Sequence, residues 1–142
     1  MLTDYFIASP ADLQTLRIQT SPADRFPTVR AKSADTVKLA ALQRILATAV
    51  SDPVLATLKC RVVGEPTSEG PWLFTVPAGV TDVLARLSES EVAQIAAQWA
   101  ETREWRLDRG SPELVANILT ELHFLAQNAR SNGCEVFLWM SL

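Results

Sequence analysis

Few residues in this chain have the type and spacing to do chemistry. His123 is the only histidine. A neutral imidazole is the usual general base near neutral pH, and with a carboxylate such as Glu104 it would serve a small enzyme. One histidine cannot build a metal cluster with others, so no metal site is expected. Cys60 and Cys134 match no ligand spacing and read as reduced, buried thiols. Pairing Cys134 with His123 as a nucleophile would need an accessible, electropositive setting that nothing local announces. Gly64, Gly70, Gly79, Gly110 and Gly133 are isolated. A phosphate cradle of backbone N–H groups is therefore not expected, and no cofactor is.

Binding has better support than catalysis. Trp99 and Arg103 are four residues apart, so on one helix the guanidinium would lie over the indole. Beside Trp105, that Arg could fork onto a carboxylate or a partner's backbone, and Trp and Arg are enriched at binding hot spots. A solvated helix end with local ion pairs accounts for the Glu101–Arg109 segment equally well. Phe124 falls opposite an apolar helical stripe, with Glu113, Thr120 and Gln127, facing either the irregular 18–33 segment or a second copy of the chain.

Charge divides unevenly. Residues 1–66 hold eight Lys/Arg and six Asp/Glu, whereas residues 67–142 hold five and ten. Between Arg25 and Arg44 there are five basic residues and one acid, with Phe26 interleaved. An anion or nucleic-acid patch through Arg25, Phe26, Arg30, Lys32 and Lys38 is the sharp reading of that segment. Solvated surface is the plain one. The formal net charge of -3 argues against a dedicated nucleic-acid protein, whose footprint is usually basic.

The elements that must position these residues are read from capping and periodicity. At 142 residues, 48% hydrophobic and 20% charged, the chain has the size and composition of one globular domain, 1–142. No uncharged run reaches the ~20 apolar residues of a membrane-spanning helix, and the first residues lack the pattern of a secretory signal. A cytoplasmic protein is expected. Ser9-Pro10 opens a short helix that turns Leu13 and Leu16 inward. Residues 18–33, broken by Pro22 and Pro27, are irregular, and such stretches are more often functional or mobile than plain connections.

Residues 35–50 read as a helix with Leu39, Leu42, Ile45, Leu46 and Ala49 on one face and Gln43 and Arg44 on the other. Residues 54–63 fit either a half-buried strand or a helix. Gly64–Gly70, with Pro66, is a loop, and 72–76 a strand. A short helix through Val80–Leu87 follows. Ser88-x-x-Glu91 is a capping box with Leu87 and Val92 as its hydrophobic staple, opening a helix that runs to about Trp105. Ser111-Pro112 starts the last helix, and Asn132-Gly133 ends it. Val136, Phe137, Leu138, Trp139 and Met140 then form an unbroken apolar run, the mark of a strand buried on both faces.

The stretches Tyr5-Phe6-Ile7-Ala8-Ser9, Gly70-Pro71-Trp72-Leu73-Phe74, Ala129-Arg130-Ser131-Asn132-Gly133 and Phe137-Leu138-Trp139-Met140-Ser141 resemble, in kind and order, small bacterial proteins of the YfbM-like kind. The resemblance covers the order of elements over some two thirds of the chain and implies no activity. The Trp- and His-rich first helix associated with that family is replaced here by Val-Lys-Leu-Ala-Ala-Leu-Gln-Arg-Ile-Leu-Ala-Thr.

The expectation is an α+β domain: a small mixed sheet of three or four strands, near 5–8, 72–76 and 136–140 with 58–63 as the fourth if that segment is a strand, under four or five helices, with the C-terminal strand central. Its expected function is non-enzymatic protein binding of a regulatory or immunity type in the bacterial cytoplasm, as a monomer or homodimer. The alternatives are the His123 enzyme and the anion binder.

Overall fold

Both ends of the chain alternate their side chains between two apolar environments, and the ends pair. The strand β1 (Leu2–Ala8) runs antiparallel to β5 (Glu135–Ser141) over seven residue pairs. The computed structural model describes residues 1–65 and 67–142; Pro66, in the expected 64–70 loop, lies outside them. Three shorter strands, β2 (Thr28–Arg30), β3 (Arg61–Val62) and β4 (Trp72–Thr75), complete a sheet of order β2-β1-β5-β4-β3. The fold is α+β with the C-terminal strand at its centre, as expected. Among the described residues all four pairings are antiparallel, and five strands stand where three or four were expected. The extra strand, β2, is three residues long and borrows its order from β1.

Burial on two faces explains the apolar run in β5. Val136, Leu138 and Met140 join Tyr5 and Ile7 beneath the helices. Phe137 and Trp139 join Phe6, Ala8 and Leu73 on the opposite face. That second face is covered by the chain between the first two strands. The short helix α1 (Pro10–Leu13) is opened by a Ser9/Asp12 capping box, and Leu13, Leu16, Ile18 and Phe26 lie over the sheet. Trp139 Nε1 donates to the Ile18 carbonyl at 2.6 Å, and Ser21 Oγ donates to the buried Asp4 carboxylate at 2.5 Å. The irregular 18–33 segment is thus a fitted lid on the sheet, holding a 3₁₀ turn at Pro22–Asp24 and then β2.

The helices follow their caps. Asp35 accepts from the Lys38 N–H at the start of α2 (Thr36–Ala49). Gln43, assigned from the sequence to the polar side, is buried: its Nε2 donates to the carbonyls of Leu55 at 2.9 Å and Leu58 at 2.8 Å. Those bonds hold the 54–63 segment, which is neither of the two expected elements throughout. It is a 3₁₀ turn at Pro53–Thr57 followed by the two-residue β3, with Val62 exposed.

Next come α3 (Ala78–Arg86) and α4 (Glu89–Ala100), the latter opened by the Ser88/Glu91 box. Ser88's N–H and hydroxyl, both bonded in that box, hold the Glu91 carboxyl below its usual range. The helix stops at Ala100 instead of continuing to Trp105. Thr102 Oγ1 donates back to the Trp99 carbonyl at 2.7 Å, and a separate turn, α5 (Arg103–Leu107), begins there. The 21-residue α6 (Pro112–Asn132) starts on Ser111 and ends on Gly133, whose φ of 63° lies in the left-handed region that favours glycine. It packs on α3, α4 and the helix-covered face of the sheet.

Candidate functional site

The break between α4 and α5 decides the fate of the aromatic cluster. Trp99 and Arg103 no longer share a helix, and Arg103 is exposed. Trp99 and Trp105 are both wholly buried, edge to face at 5.4 Å between centroids. The cation over an indole is Lys38 of α2, whose Nζ lies 4.9 Å from the Trp105 ring centre. Lys38 also ion-pairs with Asp108, and its carbonyl accepts from Trp99 Nε1 at 2.9 Å. A Cβ on Gly110 would come within 2.5 Å of Trp105, so glycine there makes room for the ring. This cluster fastens α2, α4 and α5 together, and Trp99 and Trp105 are core. Sequence reasoning missed Lys38 as their partner. Its signal was the i, i+4 spacing to Leu42, which sets a lysine in the apolar stripe of a helix.

The basic segment is dispersed in the same way. Arg25 donates to the Thr15 carbonyl at 3.0 Å and lies over Phe26, whose ring packs at a tilt 5.6 Å from that of Phe6 in the second core. Lys38 is buried, and Arg44 pairs with Glu104 at 3.1 Å. Only Arg30, on β2, and the exposed Lys32 beside it remain at one place, the free edge of the sheet.

His123 is 8% exposed. Its Nδ1 lies 2.6 Å from the Leu84 carbonyl, so Nδ1 carries the proton, and Gln127 one turn on donates to the Ala85 carbonyl at 3.3 Å. Both carbonyls are unpaired acceptors at the C-terminal end of α3, which α6 caps with these two side chains. The carboxylate lining the cavity that His123 shares is Glu89; Glu104 and Cys134 do not line it. Cys134 is half-buried with its Sγ near the Asn132 carbonyl. Cys60 is likewise half-buried and free, and burial pushes its thiol up to about 11, so it is a protonated thiol at neutral pH.

Phe124 points outward as its wheel position implied, with 60% of its surface exposed on the middle of α6. A depression lies on each side of it. One, about 640 Å³, runs between α6 and β2, with Thr28, Arg30, Glu121 and Asn128 on its walls. The other, about 470 Å³, runs between α4 and α6. β2 is an edge strand, and its register shows which groups are free. Ile7 donates to the Pro27 carbonyl and Ala31 to the Thr3 carbonyl, so Val29, in register with Tyr5, turns its N–H and C=O toward β1. By the alternation of an antiparallel ladder, the N–H and C=O of Thr28 and Arg30 face outward. The result is an unpaired strand edge beside an exposed aromatic on a helix.

Among the described residues no group of three or more His, Cys, Asp or Glu side chains is placed to hold a metal ion. No described helix is long and apolar enough to cross a membrane. No protein-family model matches the chain, and no match to it was found among curated proteins or solved structures.

Proposed function

We propose that the protein is a non-enzymatic binding module, of regulatory or immunity type, that recognises another protein through the Phe124 face of α6 and the free edge of β2. The observation that carries this reading is Phe124, a large aromatic left 60% exposed between two depressions on the longest helix. An extended segment of the partner would add to β2 through the outward groups of Thr28 and Arg30, with an apolar side chain against Phe124. Strand addition takes its affinity from main-chain hydrogen bonds and its specificity from side-chain pockets. Arg30 and Glu121, of opposite sign on the walls of the same groove, supply that specificity and fix the partner's register.

Two unpaired thiols suit a reducing compartment, and the bacterial cytoplasm is the proposed setting. Kinship with the YfbM-like proteins is proposed on the order of elements alone. The test is differential capture from the native cytosol with the wild-type chain and Phe124→Asp as baits. The exposed position leaves folding intact, so the two baits should melt alike. A partner held by the wild type should be bound at least about tenfold more weakly by the variant, since hot-spot truncations exceed that loss. Equal recovery on both baits refutes the reading. A concentration-dependent dimer that Phe124→Asp abolishes would identify the partner as a second copy of the chain.

A further inference from the structure

On the other side of Phe124, the depression between α4 and α6 has a composition of its own. Its walls are apolar and small: Val92, Ala93 and Ala96 on α4, and Ala116 on α6. Its polar lining is Glu89, Thr120 and His123, and the Thr120 hydroxyl is spent on the Ala116 carbonyl at 2.9 Å. Glu89 contributes a carboxylate, and His123 contributes a ring nitrogen. With the Nδ1 proton committed to the Leu84 carbonyl, Nε2 is a hydrogen-bond acceptor whenever the ring is neutral. It has no protein partner among the described residues, and the residue is more than nine-tenths buried. The Phe124 ring lies 5.4 Å from the imidazole. No lysine or arginine lines the cavity.

An acceptor nitrogen, a carboxylate and an aromatic ring select one kind of head group: a cation that donates hydrogen bonds. The alanine-walled groove selects an apolar tail. We infer that the α4–α6 cavity is a binding site for a small hydrophobic amine, its ammonium donating to His123 Nε2 and Glu89 and its hydrocarbon lying along Ala93, Ala96 and Ala116. This inference does not depend on the partner surface proposed above, since it needs no second protein.

His123 is the only histidine, so its imidazole gives a single reporter in nuclear magnetic resonance of histidine-labelled protein. The full chain is titrated with n-hexylamine, protonated at neutral pH, and in parallel with hexanoate and 1-hexanol. The expected result is a saturable shift of the His123 ring signals with hexylamine and weaker or no response to the other two. Glu89→Gln should weaken the amine about threefold, the size of an exposed charge pair. Ala93→Phe, at an exposed position that fills the groove, should abolish the shift while leaving the melting curve unchanged. Absence of a saturable shift overturns the inference. So does equal or tighter binding of hexanoate or hexanol, or amine binding that survives Ala93→Phe. Tighter binding of Nα-acetyl-lysine amide than of hexylamine would assign the site to a partner's lysine, and overturns it as well. Loss of amine binding with partner capture intact, or the reverse, separates this site from the strand-edge surface.

Discussion

A chain ending at Gly133 is expected to have no cooperative fold. Among the described residues β5 alone joins the two halves of the sheet, since it pairs with β1 on one side and β4 on the other. Val136 through Met140 are all buried, alternating between the helix-covered core and the core under the 9–26 segment. Burying each large side chain is worth roughly 1.5–3 kcal/mol, and five such terms rival the roughly 5–15 kcal/mol that holds a domain of this size together. Without β5 both cores also lose a wall, and Trp139 no longer fastens Ile18. Circular dichroism against temperature should show one sharp transition for the full chain and none for the truncated one. A truncated chain that melts cooperatively would mean that α6 and β1 hold the fold without the strand.

The Lys38–Asp108 pair carries the second large effect. The lysine side chain is 4% exposed and the aspartate side chain 49%. Removing the aspartate leaves a charge buried over Trp105 with no counter-ion, whereas removing the lysine leaves a half-exposed carboxylate that water can solvate. Asp108→Ala should therefore cost about 3 kcal/mol, at the low end for breaking a buried pair because solvent reaches one partner. Lys38→Met should be close to neutral, since a chain of similar length fills the same space against the indole. Urea unfolding of both variants measures the difference. Equal losses in the two would show that the lysine stabilises by charge and not by filling its site.

What could be read from the sequence was local. The caps at Ser9, Ser88 and Ser111 and the Asn132-Gly133 stop lie where expected because each depends on neighbours within four residues. The two-sided burial of 136–140 was legible for a similar reason: no polar residue interrupts the run. Phe124 was legible as the residue off its helix's apolar stripe. Most of the misreadings arise from partners distant in the chain. Gln43 looks like a surface residue until the carbonyls of Leu55 and Leu58 come within its reach. Phe26 looks like part of a basic patch until Phe6 meets it. Thr28–Arg30 carries too little pattern to announce a strand, because its ladder is supplied by β1 and its one buried side chain is Val29. Trp99 and Arg103 keep the spacing of a helical pair, but Thr102 ends the helix between them.

The α6 face beside Phe124 owes its exposure to the same long-range arrangement. α6 lies against β2 near the sheet margin, so the groove between them exists only once the lid has brought residues 28–30 to β1. Amide hydrogen exchange of the chain, alone and with its captured partner, tests that surface most directly. Alone, the outward N–H groups of Thr28 and Arg30 should exchange fast, and that of Val29, directed at Tyr5, should exchange slowly. With the partner bound, Thr28 and Arg30 should both become protected, together with amides of α6 around Phe124. Protection confined to the opposite edge at Arg61–Val62, with Thr28 and Arg30 unchanged, would contradict the proposed surface.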